Sequence, residues 1–290
     1  MFVNKILKKY YRCLVIFSRF FYLYKFFFFL NLDKKIPPIR GVYNSTVEQP
    51  ERAKLLLENI KKQIFLYKKN IINNKKSRTK GGGNGRKFIC LEVGSYIGSS
   101  TIILGNVLNE LLGDKFILFS VDPFVPYKSK NEKEFGVIEL SKHIEKIYFY
   151  FLYNISKFSW RKNFIHLRND MNQATLFSNY NIYFDFIYID GSHYYQDVKT
   201  DLNNCSKLIY DKKDYKGLIC GDDLEYDFKT LLNFFQNDEN KLNKFLNNNL
   251  KYDQIKFREK YFHPGLTKAL HEFSLKYSKK VNSKNGFWYI

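Results

Sequence analysis

Residues 87–101 read Lys-Phe-Ile-Cys-Leu-Glu-Val-Gly-Ser-Tyr-Ile-Gly-Ser-Ser-Thr. A largely apolar run, Phe88–Val93, ends at Gly94, Gly98 follows four residues later, and a second apolar stretch begins at Ile102. This pattern predicts a strand, a tight glycine turn and a helix. Gly94 allows a turn that a side chain would block, and Gly98 lets the backbone approach a ligand closely. The free N–H groups at the start of the helix suit an anionic group.

Further short apolar runs follow the glycine turn at intervals that leave room for helices between them. They lie at Lys115–Val121, Phe164–Leu167, Phe184–Ile189 and Gly217–Cys220, and residues 286–290 have the pattern of a last strand. Strands that alternate with helices indicate a parallel, doubly wound sheet. We therefore predict an α/β fold over residues 87–290, preceded by a helical extension.

Acidic residues stand where the predicted strands end. They are Glu92, Asp122, Asp190, Asp222 and Asp223. In an open parallel sheet, ligands bind in the crevice outside the carboxyl ends of the strands, so we expect these side chains around one crevice. Asp122 ends the second strand, where an acidic residue can bind the ribose hydroxyls of a nucleoside. A turn aspartate before a proline is the other interpretation of Asp122.

Three of these aspartates offer the oxygen ligands that a hard divalent cation such as Mg²⁺ prefers: Asp190, Asp222 and Asp223. Carboxylates so close repel each other unless a cation or a proton lies among them. A bound cation would lower the pKa of a substrate hydroxyl, and His193 would then accept its proton. Two other interpretations stay open. The aspartates cap helices or bind a cofactor amino group without metal, and His193 makes only a structural hydrogen bond.

The order of several motifs resembles that of class I S-adenosylmethionine-dependent methyltransferases. Their letters are E-V-G-S-Y-I-G-S-S-T, V-D-P-F, I-D-G-S-H-Y-Y, G-L-I-C-G-D-D, H-P-G-L-T-K-A-L-H-E-F and a terminal F-W-Y-I. The glycine turn lacks the G-x-G-x-x-G pattern of dinucleotide-binding proteins. The chain is similar to a bacterial-type branch of O-methyltransferases that act on sugars or secondary metabolites. This resemblance implies a Rossmann-like, mostly parallel sheet of seven strands and an enzyme that uses S-adenosylmethionine.

The resemblance also assigns roles to individual positions. Cofactor contacts fall on Glu92, Gly94, Ser95, Gly98 and Asp122, with Asp170 and Met171 near the adenine. Met171 stands where we would expect a serine. The D-x-x-H and G-D-D pieces are similar to the metal-binding pieces of catechol-type O-methyltransferases, which have a lysine in place of His193. Together these features predict metal-assisted O-methylation of a hydroxyl on a small molecule or sugar, with Asp190 and His193 as catalytic residues.

Positive charge is concentrated before this domain. The chain of 290 residues has a net charge of +20, and residues 1–86 contain 20 Lys and Arg against 4 Asp and Glu. Residues 1–36 are basic and aromatic, and residues 37–86 contain a predicted helix and a basic flexible linker. Three interpretations of the first segment stay open: a helix on an anionic membrane surface, a helix packed on the protein's own core, or a membrane span.

The competing class of protein is a non-catalytic or RNA-directed protein that binds S-adenosylmethionine and uses this basic region. We favour a lipid surface, contacted through residues 1–35, or packing on the protein's own core over nucleic acid, because the apolar residues are continuous with the charges. The four cysteines have no C-x-x-C spacing, which indicates reduced thiols and a cytoplasmic protein, with membrane association as an open alternative.

Two features near the C-terminus complete the prediction. Residues 227–262 are rich in Asn, Lys and Phe, have no clear strand pattern and are expected to form an insertion over the crevice. His263 precedes Pro264, and we interpret it as a loop residue before a helix that starts with proline. A position beside the crevice is the other interpretation of His263.

Overall fold

The computed structural model describes residues 50–76, 86–125 and 137–290. The segment 1–36 lies outside the described residues, and so do its three interpretations. None of the described helices is both long and apolar enough to cross a bilayer.

The described residues form eleven strands. They are β1 (Phe88–Val93), β2 (Phe116–Val121), β3 (Phe164–Leu167), β4 (Phe186–Ile189), β5 (Asp211–Lys212), β6 (Tyr215–Lys216), β7 (Leu218–Leu224), β8 (Ile255–Phe257), β9 (Lys260–Phe262), β10 (Asn282–Lys284) and β11 (Gly286–Tyr289). Seven of them build one sheet in the order β3, β2, β1, β4, β7, β11, β10, and the others form two separate hairpins.

The first five strands of this sheet run parallel, β11 runs antiparallel to β7, and β10 runs antiparallel to β11. Val93 pairs with Val121 on one side and with Ile189 on the other. The strand order changes direction at β1, because β2 and β4 lie on opposite sides of it. The predicted Rossmann-like sheet of seven mostly parallel strands is confirmed, and this reversal is where such folds bind ligands.

Eight α-helices accompany the strands of the described residues. They are α1 (Pro50–Lys76), α2 (Ser99–Leu112), α3 (Val137–Ser156), α4 (Thr175–Asn179), α5 (Tyr195–Leu208), α6 (Phe228–Phe234), α7 (Glu239–Asn249) and α8 (Pro264–Tyr277). Two short 3₁₀ helices occupy Ser159–Asn163 and Met171–Gln173. Local sequence explains several starts, since Asp227 and Asp238 cap α6 and α7 and Pro264 stands in the first turn of α8.

Helix α1 is packed on the domain. Its apolar face buries Leu56, Ile60, Ile64 and Tyr67 completely or nearly so, and the ring of Tyr67 meets Phe88 of β1 edge to face. Burial of each such side chain stabilises the folded state by about 1.5–3 kcal/mol. The helix before the linker therefore belongs to the same core as the sheet.

Strand β7 extends further than the sequence predicted. Its pairing with β4 reaches Gly221, but its pairing with β11 continues to Leu224. Asp222 and Asp223 thus lie within a strand instead of following one, because β11 supplies hydrogen-bonding partners beyond the end of β4. Asp223 has a positive φ of 67°, which is uncommon for a residue with a side chain and costs of order 1–3 kcal/mol.

Residues 227–262 contain α6, α7 and the β8–β9 hairpin, so this segment is more regular than its sequence indicated. The segment contributes most of a small hydrophobic core of its own, formed by Tyr226, Phe228, Leu231, Leu242, Leu246 and Phe262. The tip of the hairpin includes Arg258 with a positive φ of 55°. The segment also brings Asp253 to the carboxyl-end side of the sheet, where its side chain contacts His193.

Candidate active site

A cavity of about 930 Å³ opens at the carboxyl ends of β1, β2, β4 and β7. Nine of the predicted site residues line it: Gly94, Ser95, Asp122, Asp170, Met171, Asp190, His193, Asp222 and Asp223. Glu92 and Gly98 are not among its lining residues. The single cavity therefore joins the predicted cofactor end, at the glycine turn, to the acidic end at β4 and β7.

Gly94 forms the turn directly after β1. Its φ is +85°, and a Cβ built there would lie 2.1 Å from the carbonyl oxygen of Asp190 and 2.6 Å from Cα of Gly191. Any side chain at this position would collide with the backbone that follows β4. The absence of a Cβ thus lets the ends of β1 and β4 meet at the floor of the cavity.

Asp122 connects the end of β2 to this turn. Its carboxylate accepts hydrogen bonds from the backbone N–H of Ser95 at 2.8 Å, of Tyr96 at 3.1 Å and of Phe124 at 2.8 Å. Burial raises the pKa of Asp122, and these backbone donors act in the opposite direction. Asp122 therefore fixes the turn and also presents its carboxylate to the cavity, where the ribose contact stays a prediction.

Glu92 and Gly98 lie next to the turn but do not line the cavity. Oε2 of Glu92 accepts a hydrogen bond from Oγ of Ser95 at 3.3 Å and another from Oγ1 of Thr101. Burial raises the pKa of Glu92 to about 8. A Cβ on Gly98 would meet side chains of Phe151 and Ile155 at 3.2 and 3.3 Å. The space beside Gly98 is thus filled by α3, which differs from the close ligand approach that the sequence suggested.

The wall next to β3 carries Asp170 and Met171. The carboxylate of Asp170 caps the short 3₁₀ helix by accepting a hydrogen bond from the backbone N–H of Asn172 at 3.0 Å. Met171 is almost fully buried, and its carbonyl oxygen accepts a hydrogen bond from Asn204 of α5. Both residues reach the cavity, and their contact with adenine stays a prediction.

Asp190 and Asp222 bear raised pKa values at the acidic end. Burial raises the pKa of Asp190 to about 8, and the charges of Asp223 and Asp222 add to this. Burial, followed by the charge of Asp223, raises the pKa of Asp222 to about 7. Tyr188 donates a hydrogen bond to Asp190 at 3.2 Å. These carboxylates lie in a region with more negative than positive charge.

Arg52 of α1 supplies a cation at this end that the sequence analysis missed. Nη1 of Arg52 lies 2.9 Å from Oδ1 of Asp222 and also contacts Oδ1 of Asp223. Nη2 lies 2.8 Å from Oε1 of Glu225, and Nε donates to the carbonyl oxygen of Asn285 at 3.0 Å. One local feature could have drawn attention to Arg52: it stands in the first turn of a helix, where the helix dipole disfavours positive charge.

His193 stands between two carboxylates. Its Nε2 lies 3.1 Å from Oδ2 of Asp223, and its Nδ1 lies 3.2 Å from Oδ1 of Asp253. Burial alone lowers the pKa of His193, but the two carboxylates outweigh it and hold the pKa well above the ordinary value. For Asp223 the effect is reciprocal: burial raises the pKa, and His193 lowers it well below the usual range.

His263 belongs to the same cluster, which settles the open question about its position. Its ring lies 4.0 Å from that of His193, between centroids, and its Nδ1 lies 2.9 Å from the carbonyl oxygen of Asp253. Burial, together with the charge of His193, lowers the pKa of His263 to about 4. His263 begins one of the quoted motifs, and a position beside the crevice was one of its two interpretations, whereas Asp253 belongs to no motif and the sequence did not predict it here.

The candidate metal ligands differ from the predicted set. Within the described ranges, one group of three His, Cys, Asp or Glu residues has ligand atoms all within 4.8 Å of one another, and it consists of His193, Asp223 and His263. Asp190, Asp222 and Asp223 do not form such a group. The sequence argument required a cation among these carboxylates, and Arg52 supplies one between Asp222 and Asp223.

Part of the chain matches a known protein family. Residues 91–224 match the family described as a methyltransferase domain. No curated protein matches the chain at a significant level. Among solved structures, the O-methyltransferase NovP is similar with 12% identity and a TM-score of 0.45, covering 80% of this chain and 77% of that chain.

Two further solved structures are similar. An O-methyltransferase from Bacillus cereus in complex with SAH has 13% identity and a TM-score of 0.41, covering 89% of this chain and 92% of that chain. TomG from Streptomyces achromogenes, an O-methyltransferase of tomaymycin synthesis in complex with SAM, has 10% identity and a TM-score of 0.41, covering 70% of this chain and 72% of that chain.

The family match covers the end of β1, the glycine turn and strands β2 to β7. Residues 91–224 therefore form a methyltransferase domain. The predicted enzyme, a methyltransferase, is confirmed, and S-adenosylmethionine is the methyl donor that the sequence motifs imply.

Proposed function

We propose that this enzyme methylates a hydroxyl oxygen of a small molecule or a sugar, with assistance from a divalent cation. The observation that carries the proposal is the single cavity that joins the glycine turn to the acidic end. A methyl donor at Gly94 and Ser95 would share this space with an acceptor beside Asp190. Transfer between two bound molecules depends above all on holding them together in this way.

The donor would occupy the β1–β2 side of the cavity. Gly94 and Ser95 would face its methionine portion, Asp122 its ribose, and Asp170 and Met171 its adenine. Oδ2 of Asp122 accepts two backbone hydrogen bonds and Oδ1 accepts one. Each carboxylate oxygen has two lone-pair sites, so Oδ1 can still accept from a ribose hydroxyl.

The acidic end fits a divalent cation. Burial is the main cause of the raised pKa values of Asp190 and Asp222, about 8 and 7, and the negative charge of Asp223 adds to both. Asp223 is common to the predicted ligand trio, with Asp190 and Asp222, and to the group with His193 and His263. A bound cation stabilises the deprotonated form of an acceptor hydroxyl.

Asp190 is the residue best suited to receive the acceptor's proton. The sequence predicted His193 for this role, but the two carboxylates beside His193 favour its protonated form. The pKa of Asp190, about 8, lies near neutral pH, as a general base requires. The acceptor oxygen would form a bond to the methyl carbon, the carbon–sulfur bond would break with its electron pair on sulfur, and the proton would pass to Asp190.

The test uses purified full-length protein and S-adenosylmethionine labelled in its methyl group. We expect label to enter the small-molecule fraction of a cell extract as an ether, and excess chelator to stop this while binding of S-adenosylmethionine persists. Asp190→Asn should lose at least 10²-fold in turnover and retain cofactor binding. Label confined to amines, or full activity in excess chelator, would overturn the proposal.

The basic N-terminal segment belongs to a separate part of this proposal. We propose that residues 1–35 contact an anionic membrane surface rather than nucleic acid. The full chain should float with vesicles that contain anionic lipid and should not shift RNA in a gel. RNA binding without flotation would favour the alternative, an RNA-directed protein.

A further inference from the structure

We propose that His193, Asp223 and His263 form a binding site for a borderline transition-metal ion such as Zn²⁺ or Co²⁺. The cation of the proposed reaction would then be held by two imidazoles and one carboxylate instead of three carboxylates. Binding of the ion stands on the geometry alone, whereas its catalytic use rests on the proposed function.

The spacing of the three groups fits one ion. Their ligand atoms all lie within 4.8 Å of one another, and Nε2 of His193 is 3.1 Å from Oδ2 of Asp223. Two ligands at about 2.0–2.1 Å from a tetrahedral ion are themselves separated by about 3.3 Å. Small side-chain movements would therefore complete the coordination.

The hydrogen bonds around the two rings leave the correct nitrogen atoms available. Nδ1 of His263 faces the carbonyl oxygen of Asp253 at 2.9 Å. A carbonyl oxygen only accepts, so this Nδ1 carries the proton, and the neutral ring has its lone pair on Nε2. Nδ1 of His193 faces the carboxylate of Asp253 at 3.2 Å. Metal-ligating histidines use their second ring nitrogen in this way, with a carboxylate or carbonyl as partner.

Nε2 of His193 is the atom that points most directly to metal binding. It is buried and lies 3.1 Å from Oδ2 of Asp223 without the alignment of a hydrogen bond. Most buried polar side-chain atoms are satisfied. A shared ion would explain this geometry. The lone pairs of Nε2 and Oδ2 would both be directed at the ion, so the two atoms would lie close together without an aligned hydrogen bond between them.

Arg52 leaves this side of Asp223 free. The guanidinium contacts Oδ1 of Asp223, and Oδ2 is the atom that faces His193. The carboxylate can thus pair with Arg52 and bind an ion at the same time. His193 and Asp223 line the cavity, so a coordination position left open by three protein ligands can face the acceptor.

The donor set selects the kind of ion. Imidazole nitrogen suits Zn²⁺ and its neighbours in the first transition row, whereas Mg²⁺ prefers oxygen ligands in near-octahedral geometry. A site with two imidazoles should therefore bind Co²⁺ and Zn²⁺ far more tightly than Mg²⁺. The alternative is a protonated His193 that only pairs with the two aspartates.

The test measures binding on the full-length protein after removal of metal by a chelator and dialysis, with no S-adenosylmethionine or acceptor present. Co²⁺ is added and followed by its visible absorption, and Zn²⁺ by competition. We expect one equivalent to bind and His263→Asn to weaken binding at least tenfold. His271→Asn is the matched control, because His271 stacks on Phe228 outside the cluster, and it should bind as the parent does.

Two further measurements make the outcome decisive. Asp190→Asn should keep Co²⁺ binding if the imidazoles hold the ion and lose it if the three aspartates do. X-ray absorption of the Zn²⁺-loaded parent protein needs no variant and should show two imidazoles in the first shell. An all-oxygen shell, or Co²⁺ binding that is equal in the parent and in His263→Asn, would overturn the proposal. These experiments measure metal binding and not turnover. A negative result would therefore overturn this metal site without testing the proposed O-methylation, which the chelator experiment tests separately.

Discussion

Nη1 of Arg52 lies 2.9 Å from Oδ1 of Asp222, and the same atom contacts Asp223. Helix α1 thereby supplies a buried positive charge at the end of β7, on the wall of the cavity. Arg52 precedes the residues that match the methyltransferase family, 91–224. The candidate active site is therefore completed by a residue from outside the matched domain.

Replacement of Arg52 should destabilise the fold strongly. Arg52→Ala would leave three buried or partly buried carboxylates, Asp222, Asp223 and Glu225, without their shared cation. We expect a loss of about 3–5 kcal/mol in the free energy of unfolding, measured by urea denaturation. Lys54→Ala is the control, since Lys54 is exposed on the same helix and its ion pair with Glu58 is long, at 4.0 Å; it should cost under about 0.5 kcal/mol. Equal stability of the two variants would show that Arg52 is not needed to balance these carboxylates.

The five parallel strands could be predicted because they contain short apolar runs, four of which are followed directly by glycine or aspartate, whereas β10, Asn-Ser-Lys, gives no such signal. Each run is a local signal, and the parallel arrangement follows from the helices between runs. The same reasoning placed Gly94, Asp122, Asp190 and Asp223 around one crevice. It could not reveal the extension of β7, because that depends on pairing with β11, more than sixty residues further on in the sequence.

Sequence patterns could not predict which charged residues of the site balance one another. Arg52 contacts both Asp222 and Asp223, and Asp253 and His263 each contact His193. No spacing rule connects them, since tertiary packing alone brings them together. The sequence correctly implied that the carboxylates need a cation, but it could not identify the guanidinium that the fold provides.

Loss of the Asp122 carboxylate should weaken cofactor binding. Asp122→Asn removes the charge that organises the backbone N–H groups of Ser95 and Tyr96 and that would accept from the ribose. Hydrogen bonds to a charged group contribute about 1.5–3 kcal/mol, so we expect the Kd for S-adenosylmethionine, measured by calorimetry, to rise roughly 10- to 150-fold. Asp114→Asn changes an exposed aspartate paired with Lys162 at 2.8 Å, and its Kd should equal that of the parent. Unchanged binding by Asp122→Asn would remove Asp122 from the cofactor site.

Glu92 should make the stability of the protein depend on pH. Its pKa is about 8 in the folded state against 4.5 as the ordinary value, so between these values the folded state holds one proton more than the unfolded state. The contribution of Glu92 to stability is full below pH 4.5 and declines as pH rises toward 8, by about 1.4 kcal/mol per pH unit.

Glu92→Gln removes this titration while keeping a neutral side chain of similar shape. We would measure urea unfolding at pH 5.5, 6.5 and 7.5. The free energy of unfolding of the variant, relative to that of the parent, should rise by about 1.4 kcal/mol for each pH unit. Glu110→Gln changes an exposed glutamate of α2 and should follow the parent at all three values. Parallel curves for Glu92→Gln and the parent would mean that Glu92 is ionised in the folded protein.

Gly94 and Gly113 offer a matched pair that separates backbone strain from steric collision. Both have positive φ, +85° and +56°, but a Cβ at Gly94 would lie 2.1 Å from the carbonyl oxygen of Asp190, whereas a Cβ at Gly113 would have nothing within 4 Å. Gly113→Ala should cost the strain alone, roughly 1–3 kcal/mol, and leave S-adenosylmethionine binding intact because Gly113 is not among the residues that line the cavity. Gly94→Ala should lower the free energy of unfolding, measured by urea denaturation, by more than Gly113→Ala does, because the ends of β1 and β4 must separate. Calorimetry should also show that it binds S-adenosylmethionine at least tenfold more weakly than Gly113→Ala does. If the two variants bound the cofactor equally well, the close contact between Gly94 and Asp190 would not be what shapes the donor end of the cavity.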